Sequence, residues 1–269
     1  MNNGIVRNTK TQQTHPRQAI VLFTRSPRTE AKAKPLAGLS FLETQRLYAS
    51  LTTTVLNEAC TTGLPVIVAT DDCSAAIFSE PSSSVQLLQQ RGSSFGQRLS
   101  AATHDAFERG YDELVIIGND CVNVTSQTLC NAFTELEASD VVLGSAKDGG
   151  VYLIAAKNKS REEIHEIFEN CRWKTGFVQE DIYNNAANLK LRCALLETFT
   201  DIDSSRDFIN VIAHRAATSQ PHASVRDNLY YFALLLLHRH ALYFSTLPLV
   251  SLVSQKLLRL RYQKAPPRA

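Results

Sequence analysis

Short, almost unbroken apolar runs separated by amphipathic stretches constrain this chain more than any other feature. Ala19-Ile20-Val21-Leu22-Phe23, PVIVAT (residues 65–70), VQLLQQ (85–90) and Leu114-Val115-Ile116-Ile117 each read as a short buried strand. Between the first two, SFLETQRLYASLTTTVLNEAC places Leu42, Leu47, Leu51, Val55 and Leu56 at roughly helical spacing, and Ser40 with Glu43 forms a capping-box signature. Further helices are predicted over LSAATHDAFERGY (99–111) and 126–138. Alternation of this kind argues for a mostly parallel sheet covered by helices, with ligands gathering outside the carboxyl ends of the strands. Segments 24–34, 71–74, 91–98 and 118–123 are therefore candidate site walls, all read as loops.

The second half continues with VVLGSAKDGGVYLIA (141–155), a strand that breaks at Lys147-Asp148-Gly149-Gly150 and resumes. Helices are predicted over 161–171 and 178–187, then a strand, LRCALLETF, and the acidic turn TDIDSSRD. Past residue 212 the chain turns leucine-rich, interrupted by His238-Arg239-His240 and Pro248. The predicted organisation is a leader (1–17), one α/β domain (18–212) and a helical C-terminal extension (213–269). No apolar run in the extension reaches the ~20 residues of a spanning helix, so it is read as helices packed on the domain or on a second subunit, as in a homodimer. The polar leader lacks the apolar stretch of a signal peptide, and a cytoplasmic location is expected.

With 269 residues the chain suits one sizeable domain, and 44% hydrophobic content marks an ordinary folded protein. A net charge of +2 gives no field that calls for nucleic acid as a partner. Six cysteines without any Cys-x-x-Cys argue against zinc.

Several residues have the chemistry for a polar site. Asp120 ends a buried strand in LVIIGND, a stiff platform for a hard-oxygen metal ligand, although capping the helix that starts near Thr125 is an equal alternative. Asp148 precedes Gly149 and Gly150, which make room for a substrate against the backbone; a type I′ hairpin turn at Asp-Gly is the plain alternative. Arg25, Arg28, Lys32 and Lys34 follow the first strand closely enough to neutralise phosphates, as does Arg98 in RGSSFGQRL beside Gly92 and Gly96. Asp201, Asp203 and Asp207 crowd one turn, where they could reach a metal or a sugar hydroxyl, or cap a helix. Trp173, the only tryptophan, suits either a pocket wall or the core. Asp71 and Asp72 are candidates for base recognition by position alone.

Taken in order, FTRSP, GSSFGQRL, VIIGNDC, VVLGSAKDGGVYLIA, WKT and DIDSSRDF resemble the DUF2064 family, glycosyltransferase-like proteins of the nucleotide-diphospho-sugar transferase superfamily. The resemblance covers roughly residues 18–210. It implies a three-layer α/β/α GT-A-like, Rossmann-like fold with a mostly parallel mixed sheet, and a transferase with Mg²⁺ or Mn²⁺ as cofactor. Carried onto this chain, Asp120 and Asp148 would be catalytic and metal-binding. Thr24, Arg25, Lys32, Lys34, Gly96 and Arg98 would hold nucleotide and phosphate, and Gly149, Gly150, Trp173 and Asp203 would contact substrate. In the first loop the family's usual glycine is Glu30 here and a usual arginine is Pro35, and Val151 stands where an aromatic is usual. The implied activity is glycosyl transfer from a nucleotide-diphospho-sugar to a small acceptor. Alternatives are nucleotidyl transfer with release of pyrophosphate and a non-catalytic nucleotide-binding scaffold.

Overall fold

The computed structural model describes residues 16–74 and 85–218, together with Leu229, Tyr231–Ala233, Leu235 and Leu236. The predicted leader and most of the predicted C-terminal extension lie outside the described residues.

Among the described residues, seven strands form one sheet: β1 (Gln18–Phe23), β2 (Val66–Thr70), β3 (Val85–Gln89), β4 (Glu113–Ile117), β5 (Val141–Ser145), β6 (Val151–Lys157) and β7 (Cys193–Leu195), in the order β3-β2-β1-β4-β6-β5-β7. Only β6 runs antiparallel to its neighbours. The carboxyl ends of the other six strands therefore lie along one edge, together with the start of β6. The order switches direction between β1 and β4, which opens a crevice at their carboxyl ends.

Helices α2 (Phe41–Thr61), α4 (Ser126–Ala138) and α7 (Ser205–Thr218) contribute to a core on one face of the sheet; α3 (Phe95–Glu108), α5 (Arg161–Glu169) and α6 (Val178–Asn188) cover the other. Strand periodicity divides the apolar side chains between the two layers: Ile20 and Leu22 enter one cluster, Ala19 and Val21 the other. All four are fully buried, and each larger aliphatic contributes about 1.5–3 kcal/mol relative to exposure. Helix α7 passes through the predicted domain boundary at 212/213, and Leu229, Phe232, Ala233 and Leu236 join the core of the domain.

Three local expectations are corrected. The segment after β1 is not a basic loop throughout: Pro27–Ala33 forms a helix, α1, because Ser26 caps it and Pro27 occupies its first turn without losing a needed N–H. Helix α3 begins at Phe95 rather than Leu99, since Ser94 and Gln97 form a capping box. The turn between β5 and β6 is not type I′, which needs positive φ at both central residues. Lys147 and Asp148 have negative φ, whereas Gly149 sits at φ 88°. Gly149 N–H donates to Ala146 O (3.1 Å) and Ala146 N–H to Gly150 O (2.9 Å), the pattern of a three-residue hairpin loop closed by a glycine bulge.

Candidate functional site

A cavity of about 570 Å³ opens at the switch point between β1 and β4. Thr24 and Arg25 arrive from β1, Gly118-Asn119-Asp120 from β4, Asp148 and Gly150 from the β5–β6 turn, and Asp201 and Asp203 from the segment after β7. Backbone bonds hold these segments together. Lys147 N–H donates to Phe199 O at 3.0 Å, and Ile202 N–H to Asp120 O at 3.1 Å. The adjacent rings of Tyr152 and Phe199, 4.9 Å apart, pin the same junction from the core side.

One carboxylate oxygen each from Asp148, Asp201 and Asp203 lies within 4.8 Å of the others. Asp148 is oriented by Gly150 N–H, which donates to its Oδ1 at 2.8 Å. Asp120 lies beside this group, linked through Lys34, whose Nζ is 2.8 Å from Asp203 Oδ1 and 3.4 Å from Asp120 Oδ2. Burial pushes the Asp201 carboxyl up to about 7, and the negative charges of Asp120, Asp148 and Asp203 push in the same direction. Burial also acts to lower the Lys34 pKa, but Asp120, Asp203 and Glu30 outweigh it and hold the ammonium above the ordinary lysine range. Lys34 is positioned from behind: Tyr48 O–H donates to its backbone oxygen at 3.0 Å.

The remaining basic residues divide. Arg25 Nη1 pairs with Glu30 Oε2 at 3.2 Å, with Glu30 nearly buried and its carboxyl raised by burial against the opposing pull of Arg25 and Lys34. Arg98 lines the cavity and donates to the backbone oxygens of Gly92 and Ser93. Lys32 is exposed on α1 and Gly96 is buried under Trp173, and neither is on the cavity wall. Trp173 does line the cavity, stacked at a tilt on Phe95 (5.0 Å) and donating its indole N–H to Phe168 O (2.7 Å). Gly149 packs its Cα against the carbonyl of Gly176, leaving Gly150 as the turn glycine on the wall.

A family model described as "Uncharacterized protein conserved in bacteria (DUF2064)" matches residues 53–175. The match spans less than half of the chain. The matched stretch contains Asp120, Asp148 and Trp173, while Lys34, Asp201 and Asp203 reach the same cavity from outside it. No curated protein matches the sequence. Among solved structures, that of a "putative nucleotide-diphospho-sugar transferase from Desulfovibrio desulfuricans G20" is similar at a TM-score of 0.71 with 19% identity, covering 84% of this chain and 99% of the other. That likeness shows the fold: a GT-A-like α/β architecture. A cytidylyltransferase from Leptospira borgpetersenii serovar Hardjo-bovis aligns at 14% identity and TM-score 0.49, over 81% of this chain and 94% of its own. Rv0371C from Mycobacterium tuberculosis, solved as a manganese complex, aligns at 13% identity and TM-score 0.46, over 72% and 97%.

Sequence reasoning left some of these wall residues unassigned. Asp201 was visible only as one of three aspartates in a turn; the fold separates them. Asp201 and Asp203 enter the cavity, whereas Asp207 receives the Ser204 hydroxyl at 2.6 Å as a helix cap. Glu30 was noted only as the residue standing where the resembled family has a glycine, not as a wall residue. Asp71 accepts from Ser26 N–H at 2.5 Å and so ties the end of β2 to the start of α1, while Asp72 accepts from Ser74 within its own loop. Gln90, at the end of β3, lines the cavity instead.

Proposed function

We propose that this protein is a transferase that binds a nucleotide-diphospho-sugar with a divalent cation and passes the glycosyl group to a small acceptor. The observation that carries the reading is the meeting of Asp148, Asp201 and Asp203 in one cavity with Arg25, Lys34 and Arg98, at the strand-order switch of a GT-A-like sheet. Three carboxylates form the hard-oxygen donor set that Mg²⁺ or Mn²⁺ takes, and their separations suit ligands around a single ion. The raised Asp201 carboxyl fits as well: burial is the main cause, and the neighbouring Asp120 and Asp148 add negative charge that a cation would relieve.

Glycosyl transfer places growing negative charge on the departing diphosphate, and a bound cation would neutralise part of it. The protein's own contribution is positional. Asp148 is fixed by the Gly150 N–H, Asp120 is held on a strand end buried in the sheet, and Arg98, with no carboxylate partner among the described residues, is available to oxygen atoms of the diphosphate. Lys34 and Arg25 add charge on the β1 side.

The test is incubation of the purified protein with nucleotide-diphospho-sugars or nucleoside triphosphates, Mg²⁺ or Mn²⁺, and small acceptors, following nucleoside diphosphate and pyrophosphate release. Acceptor-dependent nucleoside diphosphate release, lost in Asp203→Asn, is the expected result. Pyrophosphate release without turnover of any nucleotide sugar would replace it with nucleotidyl transfer. Absence of any nucleotide-dependent thermal stabilisation in the presence of Mn²⁺ would overturn both.

A further inference from the structure

Gln90 combines three properties that no other role in the fold requires together. It is 9% exposed, it sits at the carboxyl end of β3, and it lines the cavity. Its carboxamide is locked in one orientation, because Nε2 donates to two carbonyl oxygens, Thr24 O at 3.0 Å and Ala69 O at 2.9 Å. Two acceptors on one side require the NH₂ group there and turn Oε1 the other way. That oxygen has no partner among the described residues, and none of their fully buried side-chain polar atoms is left unsatisfied. Oε1 therefore keeps some contact with solvent, and Gln90 is a wall residue of the cavity. Leaving such an acceptor unpaired when a ligand displaces the water is costly, so the occupant must bring a donor.

The surroundings narrow the occupant. Phe23 and Phe95 meet edge to face at 5.5 Å, and Phe95 continues to Trp173, so an aromatic wall lies on the same cavity. The acidic cluster and its cations come from β4, the β5–β6 turn and the segment after β7, whereas Gln90 enters from the β3 side of the sheet. A ligand spanning both ends has a flat, N–H-bearing group at one end and a charged group at the other. The geometry points to Gln90 as the residue that reads the nucleobase, with Oε1 accepting from an N–H on the hydrogen-bonding edge of the base. This rests on the nucleotide-binding reading above and adds the base end of the site to it.

Since Gln90 also braces β1 and β2, loss of affinity alone would not separate recognition from support. The experiment therefore compares wild type and Gln90→Met, both checked for folding by circular dichroism, in binding of the four nucleoside diphosphates and of inorganic pyrophosphate, each with Mn²⁺. The expected result is about a tenfold loss for the preferred nucleoside diphosphate, one hydrogen bond's worth in a dry site, with pyrophosphate affinity unchanged. Methylating the edge nitrogen of the preferred base should weaken binding to wild type but not to Gln90→Met. Equal losses for nucleotide and pyrophosphate, or equal sensitivity of the two proteins to methylation, would overturn the assignment of Gln90 while leaving nucleotide binding intact. Failure of wild type to bind any nucleoside diphosphate would instead overturn the functional reading beneath it. If Gln90→Met does not fold, wild-type binding of the methylated nucleotide decides, and undiminished affinity sinks the proposal.

Discussion

The Lys34 ammonium lies 2.8 Å from Asp203 Oδ1 and thereby ties the end of α1 to the segment after β7, across the mouth of the cavity. Asp203 is also one of the three carboxylates grouped with Asp148 and Asp201. The ammonium and a divalent cation thus draw on the same oxygen atoms. Lys34→Met is expected to increase Mn²⁺ affinity several-fold in the nucleotide-free protein while lowering nucleotide affinity, because a phosphate partner is lost. Stability should change little, by about 0–1 kcal/mol, since both partners are substantially exposed. Isothermal titration with Mn²⁺ alone and then with nucleotide reads both signs; weaker Mn²⁺ binding in the variant would show that Lys34 does not compete.

Asp201 sets a pH dependence in the metal-free protein. Its folded carboxyl is raised to about 7, chiefly by burial and then by Asp120 and Asp148. Below about pH 4 the group is protonated in folded and unfolded chains alike, and its favourable contribution is fully present. As pH rises from about 4 to 7 the unfolded chain ionises first, and that stability is lost. Partial exposure and solvent screening reduce the effect to about 1–2 kcal/mol, a few degrees in melting temperature. Asp201→Asn should flatten this slope and melt higher than wild type at pH 8. Mn²⁺ should stabilise wild type more at pH 8 than at pH 5, and thermal melts across that range check both statements.

Gly149 and Gly150 adjoin in sequence but carry different constraints. Gly149 sits at φ 88°, and a Cβ there would overlap the carbonyl oxygen of Gly176. Neither neighbour can yield cheaply, since both are backbone. A Cβ on Gly150 would come 3.0 Å from Asp148 Oδ1, the end of a side chain. Gly149→Ala is expected to cost about 2–4 kcal/mol through a strained φ and a displaced turn. Gly150→Ala should keep nearly wild-type stability yet weaken Mn²⁺ binding by moving Asp148. Denaturant melts and metal titration separate the two; equal destabilisation would contradict this account of the turn.

The legible parts of the molecule were those set by local pattern. Buried runs such as Ala19–Phe23 and the Ser40–Glu43 capping box specify strand and helix from their own residues, and the structure follows them. The carboxyl ends of β1 and β4 were legible as site walls because ligand position in such sheets follows from topology. Less legible was anything decided across the sheet. The partition of Asp201, Asp203 and Asp207 depends on Ile202 bonding to Asp120 and on Ser204 capping α7, links between segments about 80 residues apart or within one turn that spacing does not distinguish. Lys32 and Lys34 looked equivalent until α1 formed, after which one faces solvent and the other the cavity. Gln90 carried no signal, because its role depends on carbonyls of two other strands.

Gly96 provides a test of how the aromatic wall is held. It lies in the first turn of α3, where a Cβ would come within 2.5 Å of Trp173 Nε1 and 2.8 Å of Phe168 O. Phe168 O is also the acceptor for that indole N–H, so a methyl group at residue 96 would wedge into the bond that orients Trp173. Overpacking of this kind costs about 1–3 kcal/mol, and the loop of Trp173 should move more readily than the backbone of α5. The chain has a single tryptophan, so its fluorescence reports this site alone. Gly96→Ala is expected to shift the emission to the red, as the indole loses its acceptor and gains water, and to weaken nucleotide binding without altering Mn²⁺ binding at the carboxylates on the other side of the cavity. An unchanged emission spectrum with a lowered melting temperature would place the strain in α5 instead, and would leave Trp173 as a fixed wall.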